Sequence, residues 1–112
     1  MSRSDLLIKP SASVDVSAAV TGDQNATVAA SEGLSLVGFA ARETAGTAAV
    51  ATFRIMNGAT VAGGTEIIPV ELNGNESTSD WFGPEGIDAS NGLTIDHIAG
   101  TFDCMLFYKA VP

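Results

Sequence analysis

The sequence predicts an all-β fold: a small antiparallel β-sandwich or barrel, jelly-roll-like, of about eight strands, with an extended N-terminal arm. Three observations point there. From Ala48 onward, apolar runs of strand length alternate with Gly- and Asn-rich turns. Residues 49–56, 66–72, 93–98 and 102–109 are each bounded by a cluster such as Asn57-Gly58, Asn73-Gly74, Asn91-Gly92 or Ala99-Gly100. No stretch carries a helical period longer than a turn. At 112 residues the chain fits one domain, with residues 1–10 as an arm and 11–112 as a single β domain.

Each element follows from its own residues. The arm is polar, then briefly apolar at Leu6-Leu7-Ile8, then stopped by Lys9-Pro10. Residues 13–20 alternate, with Val14, Val16, Ala18 and Val20 on one face and Ser13, Asp15 and Ser17 on the other. Gly22-Asp23-Gln24-Asn25 reads as a turn before a weak strand at 26–30. In residues 34–42, Leu34 and Leu36 share one face while Val37, Phe39 and Ala41 share the other. Apolar residues on both faces imply an interior strand, or one covered by another subunit. Pro69 lies inside the run 66–72 and cannot donate to a ladder, so this strand belongs at a sheet edge or a bulge. Residues 93–98 and 102–109 face each other across Ala99-Gly100-Thr101 as a hairpin candidate. The last strand carries Phe102, Cys104, Leu106 and Tyr108 on one side and Met105 and Phe107 on the other. It is therefore central in its sheet or buried between chains.

Composition narrows the function. Thirteen acidic residues against five basic ones give a net charge of −8, which disfavours nucleic acid and anionic membrane surfaces as partners. One cysteine excludes an intramolecular disulfide. The opening residues are too short in apolar character for a signal peptide, so the chain is expected to be made and used without export. Apolar content is 46%, but much of it is alanine, which implies a thin core that partner subunits would reinforce.

No spacing of residues marks a catalytic centre, a cofactor site or a metal site, and the chain is expected not to be an enzyme. His97 is the only histidine, and its neighbour Asp96 points to the opposite face of a strand, so the two cannot act as a catalytic pair. Cys104, set among Phe102, Phe107 and Tyr108 with no basic neighbour to lower its pKa, reads as a small hydrophobe. Asn73-Gly74-Asn75-Glu76-Ser77 faintly resembles a calcium loop but lacks its aspartates and closing glutamate, and reads as a turn. The most distinctive local sequence is Asp80-Trp81-Phe82-Gly83-Pro84. Trp81 and Phe82 go to opposite faces, and together they are a core plug, a subunit-interface anchor or a ligand-stacking site.

Four segments carry a resemblance: Ala51-Thr52-Phe53-Arg54-Ile55, Pro69-Val70-Glu71-Leu72, Asn75-Glu76-Ser77-Thr78, and Asp80-Trp81-Phe82-Gly83-Pro84. Over residues 37–108 the chain resembles small virion proteins of tailed bacteriophages. The resemblance implies a virion component, expected as a capsid decoration (cement) protein that binds the major capsid protein on the outer capsid surface and is made in the bacterial host cytoplasm. Two alternatives are a head-fibre or tail subunit that binds a receptor or sugar, and a small enzyme or metabolite-binding barrel. Apolar faces that a lone sandwich would leave exposed favour a homo-oligomer, with a trimer suiting threefold positions on a shell. The candidate interface is Leu6, Leu7, Ile8, Trp81, Phe82, Met105 and Phe107.

An apolar triplet at a terminus gains burial free energy, about 1.5–3 kcal/mol per large side chain, only where a groove receives it. Deleting residues 2–9 is therefore expected to leave a folded protein that loads poorly onto virus particles, as read by occupancy on purified particles. Loading at wild-type occupancy would remove any role for the arm.

Overall fold

A computed structural model describes residues 13–110; the candidate interface residues Leu6, Leu7 and Ile8 lie outside them. The described chain is all β, in nine strands: β1 (Ser13–Val20), β2 (Gln24–Val28), β3 (Ser35–Glu43), β4 (Val50–Asn57), β5 (Thr65–Asn73), β6 (Ser77–Trp81), β7 (Ile87–Asp88), β8 (Leu93–Ala99) and β9 (Phe102–Lys109). They form two antiparallel sheets, one ordered β1-β9-β3-β6 with the short β7 also on β3, the other ordered β2-β8-β4-β5.

The pairing is nested. The first strand pairs with the last, β2 with β8, β3 with β6 and β4 with β5. A ribbon of four nested antiparallel pairs, rolled so that successive pairs alternate between two sheets, is a jelly roll. Contacts of β3 with β9 and of β4 with β8 then stitch the pairs into two sheets. The hairpin expected between residues 93–98 and 102–109 does not form: β8 and β9 lie in different sheets. Gly100, at φ 83°, packs so close to β4 that a Cβ there would come within 2.7 Å of the Ala51 Cα. The corner is pressed onto the neighbouring strand, and it carries the chain across the sandwich instead of back along the same sheet.

Bulges decide which residues reach the core. In β3 the register shifts between Leu36 and Gly38, so Val37 is an extra residue and the alternation resets. Leu34, Leu36, Phe39 and Ala41 consequently all join one core, instead of dividing between two faces. In β1 the register shifts between Ser17 and Val20, and Ala19 sits at φ 51°. Val20 is buried there while Val14 and Val16 point outward, so the single apolar face read from the alternation is split. The weak second strand begins at Gln24, inside the expected turn. Pro69 lies on β5, an edge strand with a register shift beside Ile68, as a residue without an N–H requires. The last strand is central in its sheet.

The two sheets meet through large side chains. Phe53 on β4 stacks on Phe102 on β9, with ring centroids 4.0 Å apart and planes 11° from parallel, and both are fully buried. Leu36, Leu106, Ile55, Ile95, Leu72 and Leu93 fill the space around them.

One end of the sandwich is closed by a charge. Glu43, the last residue of β3, points inward and is 1% exposed. Its carboxylate accepts hydrogen bonds from the backbone N–H groups of Ala45 (2.8 Å), Gly46 (2.9 Å) and Asn75 (2.9 Å). A buried anion is tolerated when donors replace its water. Here they come from two loops, so one side chain ties the β3–β4 connection to the β5–β6 turn. Those donors hold the Glu43 carboxyl below its ordinary pKa, the Asn75 N–H having the largest effect.

Two outcomes are expected. Phe53→Ala should cost about 3–5 kcal/mol in urea unfolding, because it leaves a cavity between two rigid sheets; a loss below about 1 kcal/mol would mean the sheets close over it. A depressed carboxyl pKa stabilises the fold above the unfolded-state value and loses that contribution as pH falls through the folded-state value. The stability gap between wild type and Glu43→Gln should thus be flat near neutrality and narrow below about pH 4.5. A gap independent of pH down to acid unfolding would show that the charge contributes nothing.

Candidate interaction surface

The outer face of the β1-β9-β3-β6 sheet is built row by row from its register. Val14 lies beside Phe107, Phe107 beside Gly38, and Gly38 beside Trp81. The next row is Val16, Met105, Ala40 and Ser79, and Asp103, Arg42 and Ser77 continue it. An outer face of a sandwich is ordinarily polar. This one carries Trp81 at 64% exposed, Val16 at 61%, Val14 at 48% and Met105 at 37%.

Glycine 38 shapes the face. A Cβ there would lie 2.7 Å from the Asp80 carbonyl oxygen and 3.3 Å from Trp81 Cε3. Its absence lets the indole lie down over the sheet next to Phe107. Beside it, Ala40, Met105, Ser79, Ser77, Arg42 and Asp103 line a shallow concavity of about 490 Å³. Arg42 and Asp103 approach to 4.0 Å across it, an exposed pair of small energetic worth. Asp103 also acts on the backbone, since its carboxylate accepts the Ala19 N–H at 2.8 Å and so holds the β1 bulge in its left-handed turn.

The charges are segregated. Of the twelve acidic side chains in residues 13–110, Asp103 alone stands within this face. Asp88, opposite Ser35 at its margin, has its carboxylate occupied by Asn57 Nδ2 and the Ser90 hydroxyl, each at 3.3 Å. Of the three basic side chains, Arg42 and Lys109 belong to the face. The third, Arg54, lies on the opposite sheet, where its guanidinium is bonded to Asp96 and lies 3.4 Å from Glu66. The face is apolar with a slight positive excess on a strongly acidic body.

Trp81, Met105 and Phe107 therefore come together on one surface. Phe82 does not: its N–H donates to the Val37 carbonyl (2.8 Å), and its ring turns inward and stacks on Phe39 at 6.2 Å. The core-plug reading fits Phe82 and fails for Trp81. Val14, Val16, Gly38 and Ala40 belong to the surface although sequence reasoning did not place them there. Small residues at alternate positions of β3, set opposite an aromatic, were a usable signal; the outward valines were not, because the β1 bulge hides their parity.

The remaining residues of chemical interest have structural surroundings. The His97 ring stacks on Phe102 at 6.0 Å, and its Nε2 lies 2.7 Å from the Gly100 carbonyl oxygen, which braces the β8–β9 corner. Cys104 is fully buried, and burial chiefly pushes its thiol pKa up to about 12, so the sulfur is protonated at neutral pH. In the Asn73–Ser77 turn the Glu76 carboxylate accepts the Asn73 N–H at 2.7 Å. Among the described residues, no group of three or more His, Cys, Asp or Glu is placed to hold a metal ion. Comparison with known proteins finds no matching family model, no matching curated protein and no matching solved structure.

Proposed function

We propose that this chain is a virion structural protein, a capsid decoration (cement) protein that binds the outside of an assembled phage capsid as a homo-oligomer, with a trimer favoured. The observation that carries the reading is the exposed apolar face of the β1-β9-β3-β6 sheet on an otherwise acidic jelly roll. Such a face is the ordinary mark of a protein contact. The resemblance of residues 37–108 to small phage virion proteins supplies the setting. The acidic remainder of the surface suits an outer position, away from packaged DNA. The function is not enzymatic; burial and shape are sufficient. A contact of about 800 Å² per partner is enough for specific attachment. The oligomer would stabilise the shell by mass action, binding the assembled form in preference to its parts.

The fibre or tail reading has one observation in its favour: Trp81, 64% exposed beside a shallow concavity, is a surface on which a sugar ring could stack.

The copy number of the protein in purified source particles separates the two, with hundreds of copies expected for decoration and tens or fewer for a fibre or tail. Particles stripped of the protein should release their genome at lower temperature and recover on adding it back. Unchanged particle stability together with a low copy number would overturn the cement role.

A further inference from the structure

We infer that Asn73, in the turn between β5 and β6, is a site of self-modification, where the chain converts through a cyclic imide to aspartate and isoaspartate. No partner is needed, so the reaction stands apart from the capsid role proposed above.

The chemistry is intramolecular and redox-neutral. The backbone nitrogen of the residue after an asparagine attacks the side-chain carbonyl carbon, Cγ. An N–Cγ bond forms, the Cγ–Nδ2 bond breaks, and ammonia leaves with the proton that the backbone nitrogen gives up. Water then opens the imide at either carbonyl. Opening at Cγ gives aspartate. Opening at the other carbonyl gives isoaspartate, in which the main chain runs through the former side chain and gains a methylene. A following glycine favours the attack because it has no Cβ to crowd the nitrogen. Three pairs in the chain qualify: Asn57-Gly58, Asn73-Gly74 and Asn91-Gly92.

The structure separates them. The attacking nitrogen must be free of its own hydrogen bond, and the side chain must be free to turn toward it. The Gly58 N–H donates to the Gly92 carbonyl at 2.9 Å. The Asn57 side chain is held at both ends, its Nδ2 donating to Asp88 at 3.3 Å and its Oδ1 accepting the Asn91 N–H at 3.0 Å. The Gly92 N–H donates to the Ala89 carbonyl at 2.8 Å, so its nitrogen is engaged as well. Asn73 differs on both counts. Its side chain is exposed and forms no hydrogen bond among the described residues, and the Gly74 N–H donates none to them either. Other groups fix the turn that presents it. The Glu76 N–H donates to the Asn73 carbonyl at 2.9 Å, and the Glu76 carboxylate accepts the Asn73 N–H at 2.7 Å.

The place of this turn gives the reaction a consequence. Gly74 lies against the Gly46 carbonyl with no room for a Cβ. The next residue, Asn75, donates its N–H to the buried Glu43 carboxylate at 2.9 Å. Lengthening the main chain just before the pinned glycine moves the Asn75 N–H relative to Glu43. A buried carboxylate that loses a donor keeps the cost of its desolvation. Conversion to isoaspartate therefore loosens the end of the sandwich that Glu43 closes.

Ageing the isolated full-length chain at mildly alkaline pH, followed by digestion and mass spectrometry, tests the assignment. The peptide containing residue 73 is expected to gain about 1 Da and to split into aspartate and isoaspartate forms. Conversion there should run about tenfold or more faster than at Asn57 and Asn91, where it waits for local opening. In urea the unfolded chain loses that protection, and the three sites should convert at similar rates. The isoaspartyl protein, isolated by chromatography, should unfold at a lower urea concentration than fresh protein, and the difference should shrink in Glu43→Gln. Equal rates at all three sites in the folded chain, or an Asn73 that stays intact there while the unfolded chain converts, would overturn the assignment. An isoaspartyl form as stable as fresh protein, or a loss that Glu43→Gln leaves unchanged, would overturn the link to Glu43.

Discussion

The stack of Phe53 on Phe102 is the contact on which the sandwich depends. These rings belong to β4 and β9, each an inner strand of its own sheet, and their burial holds the two sheets in register. All but two of the strand connections cross from one sheet to the other, so a shift of the sheets would strain nearly every loop at once. His97 extends the same stack to the β8–β9 corner. Glu43 performs at one end of the molecule what the phenylalanines perform in the middle, with backbone donors instead of apolar contact.

With its interior fixed in this way, the protein can use its two outer faces differently. One is polar and acidic, with Arg54 caught between Asp96 and Glu66. The other has aromatic and aliphatic side chains where water-facing residues are expected. Gly38 is central to that difference. A larger residue would lift Trp81 off the sheet and put a ridge where a flat contact surface now lies.

Much of the fold was legible in local pattern. The spans of β1 and β9 follow from period-two alternation. Proline chemistry narrowed the Pro69 strand to an edge or a bulge, and the structure shows both. Two-sided apolarity left the last strand either central or buried between chains, and it is central. What local pattern missed has a common cause. A bulge adds one residue and reverses every side chain beyond it, so Val14 and Val16 on one side of such a shift and Val20 on the other cannot be assigned to faces from spacing alone. The Ala99-Gly100-Thr101 corner looks like a hairpin turn, because nothing in three residues records that β4 presses against it. Likewise β6, with the sequence Ser-Thr-Ser-Asp-Trp, is a strand only through its pairing with β3. The candidate surface was half visible: its aromatics stood out, and its small residues gained meaning only once the ladder set them side by side.

The nested ladder also has a consequence for how the chain acquires its shape. The partner of β1 is β9, so during synthesis β1 waits for β9 before it can pair. Closing such a long loop costs entropy before any contact rewards it, and folds dominated by distant pairings are slow for that reason. The β4–β5 hairpin, whose strands are separated by only a short loop, is the natural place for order to begin. Until β9 arrives, the apolar inner edge of β3 stands open in a nascent molecule that is already rich in strand. The excess of acidic over basic residues would then act as mutual repulsion between unfinished chains.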